Sequence, residues 1–294
     1  MDQFDDEKYR RQSDRYFEDY TGISELCKLF HSMVKLWKNY ENRDQILNDI
    51  VNNKDSMYRI SMSMDECVQI SSDFYKSIGL ESKYQGILNG ESGIEVNFGK
   101  TSSGNNIWSS GLQQIGDFEY VLNVTDHNSI ETSFIIVHEF MHAITMYDEF
   151  NESKYLLREV CPHIVELLFS DFLFRNKEKY GFNDDGLLYD LRLTKFMRFL
   201  NYYDRTNRCL RQDYIIALLA NTQLEKKPFF EKRTILINLL DVLDKDNIIE
   251  SLEVLQLRLN RKSNNRRQKY VNEMFDFFTD LFSCITSYQK TIKK

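Results

Sequence analysis

The chain has 294 residues, 42% of them hydrophobic, with only 11 glycines and 2 prolines, so it holds material for a sizeable core and too few chain breakers for an all-β fold. Its net charge of −7 disfavours nucleic acid as a main partner, and no run approaches the roughly 18 consecutive apolar residues of a membrane span. The five cysteines are scattered without a CxxC pair, so neither a disulfide framework nor a thiolate zinc site is expected.

The acidic start, Met1 to Glu7, lacks the apolar core of a signal peptide, and a cytoplasmic location is expected. Residues 24–53 carry Leu26, Phe30, Val34, Trp37, Ile46 and Ile50 near helical spacing and read as one amphipathic helix. A second helix opens with a capping box, Ser63 to Glu66, and stops at Gly79. The character then changes to a stretch rich in glycine, serine and asparagine up to residue 116. Within and just after it, Ile94–Phe98 and Phe118–Val124 alternate like strands. The next helix is predicted from about Asn128, with Glu131 as its capping partner, to about Tyr147. After a short polar link, 148–152, a helix is predicted over 153–174. Helical patterns follow over 185–203, 208–224, 229–243, 246–260 and 265–290. The Val271, Phe275, Phe278, Phe282, Ile285 and Tyr288 stripe of the last reads as core packing.

One segment stands out chemically. His138-Glu139-Phe140-Met141-His142 has the form HExxH and lies in a run, Phe134 to Ile144, that is apolar almost all the way round. A helix of that kind is buried. Histidines four residues apart stand on one face and can share one zinc ion, while the glutamate between them is placed to act as a general base. Of the five histidines, His138, His142 and His163 fall close together.

A catalytic zinc takes three protein donors and leaves one position open. Glu152, Glu159, His163 and Glu166 are the candidates for the third. A short link makes the two helices antiparallel neighbours. At ~1.5 Å per residue, His142 and His138 lie ~7 and ~13 Å from the end of the first helix. Glu159 lies ~9 Å into the second, level with the pair, and Glu166 ~20 Å in, beyond it. Glu159 is therefore the expected third ligand. His163 and Glu166 share its face and are expected to line the pocket or to orient a ligand imidazole. Pro162 is expected to bend this helix near the site.

Residues 63–175 resemble the oligoendopeptidase F and thimet oligopeptidase group of zinc metallopeptidases, the gluzincin type. The resemblance rests on the HExxH segment, on Leu157-Arg158-Glu159 followed seven residues later by Glu166-Leu167-Leu168-Phe169, and on Gly93-Ile94-Glu95-Val96 with Gly99-Lys100 upstream. It implies a mainly α, zincin-like helical metallopeptidase fold with a small β-sheet before the motif helix. The chain is expected to form a single zincin-like catalytic domain over 1–294: N-terminal helices in 1–60, an active-site core in 61–180 and a C-terminal helical part in 181–294. Met141 stands where the family carries glycine, and the family's tyrosine-bearing C-terminal segment has no plain counterpart. Tyr202, Tyr203 and Tyr214 are the candidates for its transition-state tyrosine.

The expected activity is zinc-dependent hydrolysis of peptide bonds, on oligopeptides, with one zinc ion held by His138, His142 and Glu159 and with Glu139 as base. An edge strand near Glu95 to Phe98 is expected to pair with an extended substrate. The alternative is a catalytically silent helical protein of the same descent that binds a peptide or partner.

Overall fold

The computed structural model describes residues 60–100, 110–116, 119–145, 157–182, 212–245 and 248–255. Seven helices and three strands lie there: α1 (Met64–Ile78), α2 (Glu81–Leu88), β1 (Ile94–Lys100), β2 (Gly111–Gly116), β3 (Glu119–Asp126), α3 (Ile130–Thr145), α4 (Val160–Arg175), α5 (Gln212–Glu225), α6 (Phe229–Leu243) and α7 (Ile248–Val254). The described part is mainly helical with one small mixed sheet. The helices expected over 24–53, 185–203 and 265–290 lie outside the described residues.

The capping box predicted for α1 is formed. Glu66 N–H donates to Ser63 Oγ at 3.3 Å and Ser63 N–H to Glu66 Oε2 at 2.7 Å. Gly79 closes the helix in the left-handed region at φ +83°, where a side chain would be strained. The sheet runs β1-β3-β2, with β1 parallel and β2 antiparallel to the central β3. β1 and β2 are thus the outer strands among the described residues.

α3 is the hub. It packs against α1, α4 and β3, and Ile130, Phe134, Ile136, Val137, Phe140, Met141, Ala143 and Ile144 are all buried, as its all-round apolar pattern requires. Its start departs from the expectation. Asn128 takes a left-handed conformation, and Ser129 Oγ accepts the N–H of Glu131, so Ser129 is the capping side chain. Asp126 Oδ1 holds the turn by accepting from Asn128 N–H at 2.8 Å.

Aromatic rings lock α1 and α4 around α3. Phe169 lies edge-on to Phe134 and Phe74, with ring centres 4.9 and 5.2 Å apart. Tyr75, fully buried, stacks on Tyr84 and donates its hydroxyl to the carbonyl of Val137 at 2.7 Å, one residue before His138. The turn of α3 that carries the motif is therefore tethered from α1.

α4 also departs from the expectation. Residues 157–159 form a turn and the helix begins at Val160, with Glu159 as its cap residue. Pro162 then falls in the first turn, where a missing N–H leaves no bond unmade, so it starts the helix rather than bending it. α5 and α6 cover the other side of α4. Lys232 of α6 is 2% exposed, and its Nζ lies 2.6 Å from Asp171 Oδ2 of α4. Asp171→Ala strips this buried ammonium of a charged partner and is expected to destabilise the fold by about 3 kcal/mol in urea unfolding. A loss under about 0.5 kcal/mol, the size of an ordinary surface change, would show that the pair is not a structural clamp.

Candidate metal centre

α3 presents His138 and His142 on one face, and the turn before α4 brings Glu159 up to them. The three donor atoms converge. His138 Nε2 and His142 Nε2 lie 3.1 Å apart, and Glu159 Oε2 is 3.4 Å from each. Among the described residues this is the one group of histidine, cysteine, aspartate or glutamate arranged to share an ion. A tetrahedral zinc with bonds of about 2.0–2.1 Å sets its donor atoms about 3.4 Å apart, so the three atoms match one face of that tetrahedron. Their chemistry fits as well. Two imidazole nitrogens and a 2%-exposed carboxylate oxygen facing one point can hold a cation between them. The described cysteines, Cys67 and Cys161, are free and buried, and burial pushes both thiols up, Cys67 to about 11, so neither supplies a thiolate.

Around the three donors, the other expected side chains take definite places. Glu166 lies one turn and a half into α4, and its Oε1 accepts from His138 Nδ1 at 2.8 Å. That bond leaves the Nε2 lone pair of a neutral His138 facing the donor cluster. His163 stands edge-on to His138, with ring centres 5.4 Å apart, and its backbone carbonyl accepts from Asn221 Nδ2 of α5 at 3.2 Å. Glu139 is buried next to His138, and its charge acts on that imidazole. Tyr202 and Tyr203 lie outside the described residues; Tyr214 belongs to α5, with its side chain outside them. Sequence reasoning gave no role to Arg158, whose Nη2 lies 3.5 Å from Glu159 Oε1. A cation next in sequence to the one ligand carboxylate was the available signal.

Electrostatics make the same cluster a strong proton site when no metal is bound. Burial opposes charge on His138, but its hydrogen bonds to Glu159 and Glu166 and the charges of Glu166 and Glu139 outweigh it, and its pKa is pushed up to about 10. Burial likewise opposes charge on Glu159, and the two imidazoles hold its carboxyl well below the usual range. The raised histidine stabilises the metal-free fold fully below its ordinary value of 6.5, and that contribution is lost as pH rises toward about 10. The lowered glutamate contributes above its ordinary 4.5, and its contribution is lost at more acid pH. A metal ion bound by these donors would displace the proton, so its affinity would rise with pH. The melting temperature of metal-free protein is therefore expected to fall relative to that of zinc-loaded protein between pH 6.5 and 9. Parallel curves in differential scanning fluorimetry would contradict this coupling.

Glu166→Ala removes the acceptor that orients His138 and is expected to weaken zinc binding about 10- to 100-fold in a chelator competition, without removing the ion's donors. An unchanged affinity would mean that the imidazole is oriented by packing alone.

No protein-family model, curated protein or solved structure matches this chain. Among the described residues, no helix is long and apolar enough to cross a membrane.

Proposed function

We propose that the chain is a zinc-dependent metallopeptidase that hydrolyses peptide bonds of oligopeptides, with a zincin-like fold and one zinc ion held by His138, His142 and Glu159. The observation that carries this reading is the triangle of donor atoms, 3.1, 3.4 and 3.4 Å on its sides, with a buried glutamate on the residue between the first histidine and the rest of the motif. A merely structural histidine cluster has no need of that glutamate. The resemblance to the oligoendopeptidase F group adds the substrate class.

Held by His138, His142 and Glu159, zinc would supply Lewis acidity, lowering the pKa of a water and polarising a carbonyl. The chain's own groups do the remainder. Glu139 accepts the proton of the attacking water at its carboxylate and returns it to the leaving amine. Glu166 fixes the ring of His138 and its tautomer through Nδ1. The carboxylate of Glu159 balances charge within the apolar surroundings of α3 and α4. His163 packs edge-on against His138 and so supports the position of that ring.

A panel of internally quenched peptides tests the activity. The zinc-loaded chain is expected to cleave members of the panel, a strong chelator to stop cleavage, and added zinc to restore it. Tight zinc binding without turnover on any peptide would favour a silent binding protein.

A further inference from the structure

Arg158 sits on the turn before α4, and its side chain is 30% exposed. The two oxygens of its neighbour Glu159 have different partners. Oε2 faces both imidazole nitrogens at 3.4 Å, and Oε1 faces Arg158 Nη2 at 3.5 Å. The Nε of Arg158 is buried with no hydrogen-bond partner among the described residues.

A carboxylate left to itself can give an ion one oxygen or both. With both, the fourth position that a substrate needs is filled by the protein. We propose that Arg158 is a positioning residue: it holds Oε1 of Glu159 away from the donor face, so that this carboxylate gives the ion one oxygen and the protein supplies three donors. The proposal rests on the reading of His138, His142 and Glu159 as a metal site. Arginine suits the task because its guanidinium is flat, always charged and presents donors in a fixed fork, whereas lysine offers a point charge on a mobile stem.

Cobalt(II) is the probe, because its visible absorption is intense at low coordination number and weakens as donors are added. Wild-type chain is expected to bind one cobalt per chain with the intense spectrum. Arg158→Met keeps the apolar stem and frees Oε1. Its cobalt band is expected to weaken, and its zinc affinity to change about 10-fold or more. Arg158→Lys is expected to fall between the two, and circular dichroism of both variants checks the fold. Should Arg158→Met fail to fold, Arg158→Lys and Arg158→Gln carry the same comparison. A wild-type spectrum in the folded variants overturns the proposal. So does an altered affinity with an unaltered spectrum, which would assign Arg158 a purely electrostatic effect. If wild-type chain binds neither cobalt nor zinc, the metal site itself is refuted, and the two failures are told apart.

Discussion

Glu139→Gln is expected to keep one zinc per chain and an unchanged fold while lowering kcat/KM for a cleaved peptide about 100- to 10,000-fold. Glu139 is not among the three converging donors, so its replacement leaves the metal's partners in place. Glutamine has the shape of glutamate and fits the same buried position on α3, but it cannot accept a proton from water. Metal content by atomic emission and peptide cleavage measured on one preparation check both halves. Wild-type rates in the variant would refute Glu139 as the base, and loss of zinc would show that it belongs to the donor set.

Glu159→Ala is expected to remove tight zinc binding. Structural zinc sites bind with about 10–16 kcal/mol shared among four donors, so deleting one carries away on the order of 4 kcal/mol, roughly a thousandfold in affinity. Glu159 supplies the one anion of the three and the only donor from outside α3. Its removal therefore leaves two neutral rings on a single helix and cuts the link by which the ion joins α3 to α4. The ion also stabilises the fold it binds. At a free concentration about 100 times Kd it contributes ~2.7 kcal/mol, which raises the melting temperature of wild-type chain by roughly 5 °C. The Glu159→Ala chain is expected to show no such rise. A rise equal to that of wild type would place the ion elsewhere.

Much of this centre was legible in the chain because its signals are local. An apolar helix carrying histidines four apart fixes α3, and the periodicity of 229–243 matches α6 residue for residue. Glu159 was found by height along a neighbouring helix, yet it stands in the turn before α4 rather than inside it. Pro162 accounts for the difference, since a proline in an apolar helical pattern marks a first turn as readily as a bend. The missed elements depend on partners distant in sequence. β2 begins and ends in glycine, Gly111 and Gly116, carries a register shift between Gln114 and Gly116, and exists through its pairing with β3. α2 is eight residues long, includes Gly86 and has no side-chain cap; Tyr84 and Ile87, buried on its inner face, hold it in place. The tether from Tyr75 to Val137 and the contact of Arg158 with Glu159 are likewise products of packing, with no periodic trace.

The most direct measurement is a zinc titration of metal-free chain against a chromophoric chelator, run in parallel on His142→Ala. The site described above requires one ion per wild-type chain, bound far more tightly than by the variant, since His142 supplies one of three donor atoms already drawn within 3.4 Å of each other. Equal, weak binding by the two chains would contradict it.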